Sequence, residues 1–327
     1  MDRPGWSYIS GRVTVLSDKL MDERALLGLY DAADPEERRS RLRASLLYED
    51  VIPGEHPADE IEDRFAATTT QIGAMAPNPR IARPFLLAGE WTAFRRFAKE
   101  TLLKRAGRAA AHEEEESDAR APIYRDLLRG EAPAPEWARF AQAGASMAAQ
   151  AKHPEDPAGA MDLAADAAEA ASILDAVRDC ESEQLTDCVH AWLTLSAATA
   201  ILRARRNNWD AAAFHKEWYA AGFDNPALRS LALDDEASWP AALIQLGLGE
   251  SCAQVTGKPL SELAGSVNDW ISASLRDLTA GIPFGPERVF AFLWALRNEA
   301  TNLRTLLLAA DAGMERDRVG SELHTTA

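Results

Sequence analysis

Cysteine is scarce: Cys180, Cys188 and Cys252 are the only three in 327 residues. An odd, sparse set cannot build the paired framework of a small secreted scaffold, so the three read as reduced, buried thiols of a cytosolic protein. Long apolar runs are missing too. The chain opens Met-Asp-Arg-Pro-Gly-Trp with no apolar core behind it, so no signal peptide is expected. Its longest uncharged stretch, 188–202, includes His190, Thr194, Ser196 and Thr199, short of the about 20 mainly apolar residues that a membrane helix needs. Positive charge is in deficit, with 35 Lys and Arg against 51 Asp and Glu and a formal charge of −16. That field repels phosphate backbones and anionic lipid, which excludes a general basic nucleic-acid surface. It suits a partner that presents basic loops.

Strand signals are absent as well: no run of β-branched residues alternates with period two. Ala, Leu, Glu and Arg dominate, and the chain reads as helix nearly throughout, an all-α protein. Ile9, Val13, Leu16 and Leu20 make one stripe and predict a first helix over 7–30. Asp34-Pro35 reads as an N-cap with proline at the first helical position. Further helices are expected over 58–76, 81–108, 158–179, 182–207, 210–221, 225–233, 238–255 and 260–278, separated by Pro and Gly clusters. Glu113–Glu116 reads as a solvated acidic segment. The clearest helix opens after Pro286, where Val289, Leu293, Leu296, Ala300, Leu303, Leu307 and Ala310 step by three and four residues, the mark of burial against other helices.

Motifs that carry chemistry are missing. Gly257-Lys258 is followed by Pro259 and lacks the leading glycine of a phosphate-cradling loop, and Gly247-Leu248-Gly249 lacks the third glycine of a dinucleotide turn. His112 has no second histidine four residues on, and Cys188 and His190, two apart, point to different faces of a helix. No Gly-x-Ser-x-Gly elbow exists, and none of the six histidines sits in a catalytic pattern. These readings predict no cofactor, no metal, no direct nucleotide and no active site. Asp234-Asp235-Glu236 and Asn268-Asp269 with Ser272 faintly resemble the magnesium motifs of helical isoprenoid cyclases, but they start only 34 residues apart, at 234 and 268, and lack key acids. They read instead as a helix N-cap and a solvated acidic turn.

A weak internal repeat joins three helices. Glu90-Trp91-Thr92-Ala93-Phe94-Arg95, Thr194 to Thr199 with Leu202-Arg203-Ala204-Arg205, and Glu299-Ala300-Thr301-Asn302-Leu303-Arg304 start at 90, 194 and 299, at intervals of 104 and 105 residues, near one third of the chain. The ends of the chain add Tyr8, Gly11-Arg12-Val13, Leu16, Leu20 and Met21, and Ala291-Phe292-Leu293 ahead of Leu296-Arg297-Asn298-Glu299. Taken together and in this order, these residues resemble the family that unites the d-subunit of V-type ATPases with the C-subunit of A-type ATP synthases, over nearly the whole chain. The chain departs from the family at Thr194, Ala197 and Thr199, where Asp, Asn and Lys are usual. It departs again at Ala93 in the first unit, at Leu296-Arg297, and at Ala309-Ala310 after the last arginine.

The resemblance implies three tandem helical-bundle units around a pseudo-threefold axis, shaped as a funnel: 1–110, with its N-terminal helix packing on the last unit, then 111–222 and 223–327. It implies a non-catalytic part of the central stalk, one copy per complex, on the cytoplasmic side of a membrane. Such a socket joins the central shaft to the cytoplasmic loops of the proteolipid ring. Glu299, Asn302 and Arg304 are the best-matched polar residues and, with Arg12 and Arg203, are the candidates for interface or unit packing. The alternative for the first three is a helix-surface network. The cluster Arg203, Arg205 and Arg206 reads as favourable charge at a helix C-terminus. The nine tryptophans read mostly as core or snorkelling residues, and Trp6, ahead of the first helix, is the candidate for a partner contact instead. A free-standing helical adaptor explains the composition equally well, but not the matched ends and spacings.

Overall fold

The computed structural model describes residues 3–107, 120–152, 156–255, 257–320 and 323–324. Among them there is helix and no strand. Glu113–Glu116 and His112 lie outside the described residues, as does the side chain of Cys252. After a 3-10 turn at Arg3–Trp6 come α1 (Ser7–Ser17), α2 (Glu23–Tyr30), α3 (Pro35–Leu42), α4 (Pro57–Met75) and α5 (Arg83–Arg105). The middle holds α6 (Ala121–Leu127), α7 (Ala138–Gln150), α8 (Pro157–Arg178), α9 (Glu183–Arg206) and α10 (Ala211–Ala220). The chain continues through α11 (Pro226–Leu233), α12 (Trp239–Gln245), α13 (Glu250–Ala253), α14 (Leu260–Ala280), α15 (Pro286–Asp311) and α16 (Arg316–Gly320).

Several helix starts are set by short polar side chains that occupy otherwise unbonded N–H groups. Asp34 accepts from Glu37 N at 2.8 Å with Pro35 in the first turn, and Asp210 accepts from Ala213 N at 3.0 Å. Two long helices expected from the sequence are broken. The stretch 7–30 is α1 and α2, because Asp22 takes up Ala25 N at 2.7 Å and starts a new helix. The stretch 238–255 opens with a 3-10 turn, Glu236–Ser238, and is then split into α12 and α13. Gly247, at φ +100°, ends α12, with Leu248 N donating back to Leu243 O at 3.1 Å. Gly222, at φ +99°, closes α10 the same way through Phe223 N and Trp218 O. Both are left-handed caps that glycine adopts without strain.

The chain forms two compact units: one of Met1–Leu86, Ala176–Val189 and Asn268–Ala327, the other of Leu87–Asp175 and His190–Val267. Their borders fall inside α5, α8, α9 and α14. In the first unit, α1, α2 and α4 pack on α15. Ile9, Val13, Leu26, Leu29, Ile61 and Phe65 are buried on these helices, and Leu16 and Leu20 are only half-buried. Trp6 is 3% exposed. It is a core residue, which corrects its reading as a partner contact. The second unit has an aromatic centre: Trp91 stacks on Phe140 with centroids 4.0 Å apart, and Phe94 meets Tyr124 edge-on at 5.6 Å. A Cβ on Gly144 would come within 2.5 Å of Leu127 O, so glycine is what lets α7 lie against the end of α6.

Cys180 is buried, its thiol bonded to Ala176 O at 3.6 Å, and Cys188 is half-buried. Burial pushes them up to about 12 and about 11, respectively. Of the described helices, α9 is long and apolar enough to cross a membrane, but 61% of that window is buried inside the protein. That, with its internal His and Thr residues, is the pattern of a core helix.

Candidate functional site

The last long helix, α15, buries four polar residues, Glu287, Asn298, Glu299 and Asn302, and a buried polar group requires a partner. Glu299 is fully buried. One carboxylate oxygen accepts from Met21 N at 2.9 Å and the other from the Ser45 hydroxyl at 2.5 Å; Leu46 N also donates to it. Met21 lies in the break between α1 and α2, so the N–H that the break leaves unbonded is the one the carboxylate takes. Burial raises the pKa of Glu299, and the bonds from Ser45, Met21 and Leu46 oppose that rise.

Asn302 is 1% exposed and makes a reciprocal pair with one residue: its amide donates to His324 O and its carbonyl accepts from His324 N, both at 2.8 Å. One turn of α15 thus holds both ends of the chain. Glu287, near the start of α15, repeats the device, accepting from the Ser182 hydroxyl at 2.6 Å. Ser182 in turn accepts from Leu185 N at the first turn of α9. The N-terminal region is strapped to the end of α15 and to the segment after it by further bonds: Arg38 to Asp311 at 3.0 Å, Arg316 of α16 to Asp31 at 2.8 Å, and the Tyr30 hydroxyl to Met314 O.

The five sequence candidates therefore do not form one cluster. Glu299 and Asn302 are buried fasteners within the first unit, which corrects their reading as a helix-surface network. Arg304 is exposed on the opposite side of α15, and Arg12 is exposed on α1 beside Tyr8 and Val15. Arg203 is exposed in the last turn of α9, in the second unit. Its neighbours Arg205 and Arg206 stand in the same last turn, where positive charge suits a helix C-terminus as expected, and both also bond carbonyls beyond α9. Arg205 donates to Ala232 O and Asp234 O, each at 2.9 Å, and lies 5.7 Å from the Trp239 ring centre. Arg206 donates to the carbonyls of Val255 and Lys258. Thr194 and Thr199 are buried and spend their hydroxyls on His190 O and Leu195 O of their own helix.

The second unit holds a network that sequence reasoning missed. Arg95 of α5, with 15% of its side chain exposed, bonds Asp166 at 2.7 Å and Glu169 at 2.5 Å, and lies 3.9 Å from Asp162. Lys99, one turn on, pairs with Asp162 at 3.1 Å. Burial works against the charged form of Arg95, and Asp166 and Glu169 outweigh it, so its pKa is raised. Glu217 of α10 faces the same group: burial pushes it up to about 7, a bond from Ser146 opposes this, and the charge of Asp166 adds to it. The signal was present in the sequence. Asp162, Asp166 and Glu169 fall at i, i+4 and i+7 on the otherwise alanine-rich α8, so three acids share one face that needs a cation.

The cyclase-like residues do not cap the start of an α-helix, which corrects that part of their reading: Asn268 and Asp269 lie inside α14. Asp234 closes α11 and accepts from Ser230, and Asp235 precedes a 3-10 turn. Among the described residues, no group of three His, Cys, Asp or Glu side chains is placed to hold a metal. No protein-family model matches the chain, and no curated protein matches it.

Proposed function

We propose that this chain is a non-catalytic part of the central stalk of a rotary V/A-type ATPase or ATP synthase, the socket that passes torque between the central shaft and the membrane proteolipid ring. In this reading, three similar helical units surround a pseudo-threefold axis and form a funnel on the cytoplasmic face of the ring. The observation that carries it is the ordered set of matched segments, Tyr8 to Met21, Leu202 to Arg205 and Ala291 to Arg304, with the 104- and 105-residue intervals between the repeated helices.

The placement of Glu299 and Asn302 supports it in a specific way. Two of the three best-matched polar residues, Glu299 and Asn302, hold the segments around Met21 and His324 to one helix, so a diverged sequence has reason to keep them, while Arg304 is exposed. The −16 charge also fits, since cytoplasmic loops of membrane helices are rich in Lys and Arg.

A tagged pull-down from mildly solubilised native membranes, read by mass spectrometry, tests the proposal. Recovery of a proteolipid ring, the shaft proteins and a catalytic hexamer is expected, with ring capture weakening as salt rises into the range where screening acts. A protein that stays in the soluble fraction with none of these is a free-standing helical adaptor.

A further inference from the structure

The first unit carries a groove of about 340 Å³ between α1, α14 and α15, within the usual size of a small-molecule site. Its floor is apolar, with Leu275 and Phe292 buried and the half-buried Trp294 along one side. Trp294 is positioned by a bond from its ring N–H to Ser272 Oγ at 3.0 Å, which ties α14 to α15. Two guanidinium groups line the same groove, Arg276 on α14 and Arg288 on α15. Neither has an ion-pair partner among the described residues. Arg288 is held in place, its Nε donating to Ile282 O at 2.5 Å and one terminal nitrogen to Thr279 O at 3.4 Å, which leaves its other terminal nitrogen free to bond a ligand. Asp18 also lines the groove and carries its one negative charge. The local balance is therefore positive on a chain whose net charge is −16. A fixed, unpaired arginine beside an apolar floor is complementary to an anion that carries a hydrocarbon chain.

We propose that the groove between α1, α14 and α15 binds a single-chain amphiphilic anion as a free molecule, its chain on Leu275, Phe292 and Trp294 and its phosphate or carboxylate on Arg276 and Arg288. The negative field of the whole protein opposes an anionic bilayer, so the ligand enters as a monomer from solution. This does not depend on the rotor reading, because it concerns the isolated chain.

Calorimetric titration of the full chain with decyl phosphate, kept below its micelle concentration, is the direct test. Decyl phosphate binds, and inorganic phosphate and decanol each bind about tenfold more weakly or worse, since neither supplies both contacts. Arg276→Glu, a surface change on α14, weakens decyl phosphate by about tenfold or more, because a charge-assisted bond becomes a repulsion. Arg105→Glu, the same charge change in the other unit, leaves it unaltered. Ala295→Leu, which fills the groove without touching a charge, weakens decyl phosphate and decanol alike. Thermal melts check that each variant folds. Binding that is equal in wild type and Arg276→Glu overturns the proposal. So does decyl phosphate binding no tighter than decanol, or capture seen only on vesicles of anionic phospholipid.

Discussion

Glu299 and Arg95 are both buried polar residues on long helices, and they are held in opposite ways. Glu299 faces two backbone N–H groups and a hydroxyl, with no cation in its bonding shell. Arg95 faces three carboxylates and shares one of them with Lys99. The first arrangement is directional and short-ranged, so it responds to geometry and little to salt. The second is a charge network that still touches water, so it responds to screening and to any change in the charge around it. One unit is pinned by a fastener that defines where loops start and end; the other is drawn together by opposite charges spread over α5 and α8.

Breaking the fastener should have the largest effect. Glu299→Ala leaves Met21 N, Leu46 N and the Ser45 hydroxyl unpaired in the core and opens a cavity. A loss of roughly 3–5 kcal/mol is expected in chemical denaturation. Hydrogen exchange should quicken first at Met21 and Leu46, and added salt should not restore protection. Arg95→Met should cost less, about 2 kcal/mol, because its carboxylates can turn toward solvent. Here about 0.5 M salt should recover part of the loss by screening the repulsion left among Asp162, Asp166 and Glu169. Equal salt responses in the two variants would erase the distinction between the units.

The pH dependence sharpens the comparison. Glu217 sits at about 7 in the folded chain against an ordinary 4.5, so between these values the folded state keeps a proton that the unfolded state has lost. Stability contributed by this group is therefore present below about pH 4.5, falls as pH rises, and levels off above about 7. Glu217→Gln should flatten that slope in a series of melts from about pH 5 to 8, and should stabilise the protein most at the alkaline end. The smallest effect belongs to α9. Thr194→Val should change stability by no more than about 0.5 kcal/mol, since its hydroxyl bonds only His190 O of its own helix. A loss as large as that of Glu299→Ala would show that α9 carries a fastener after all.

Much of this architecture was legible in the residues. Asp34-Pro35, Asp210 and Asn225-Pro226 each open the helix that their chemistry specifies. The apolar stripe of α15 is buried from Val289 to Leu307 as its spacing requires. Less legible were the breaks. A helical stripe ran on through Leu16 and Leu20, but α1 stops at Ser17 and Asp22 caps a new helix, because local capping competes with periodicity. Trp6 looked free ahead of the first helix and is buried, since exposure depends on what folds back over a residue. Asn302 was visible as a polar residue on an apolar helix, yet nothing near it in sequence indicated that His324 would be its partner.

Contacts within a few residues, and sums over the whole chain, account for the local features. These are helix as the regular structure, the helix starts at Asp and Asn caps, the buried face of α15, and a net charge that sets which partners are attracted. All of them can be read before any folding. The partners of the buried polar groups came only from the packing of helices: Glu299 with Met21 and Ser45, Asn302 with His324, and Arg95 with the acids of α8. Those bonds join residues 22 to 278 positions apart along the chain. A buried polar residue announces that it needs a partner, but which group comes within reach depends on how distant helices pack.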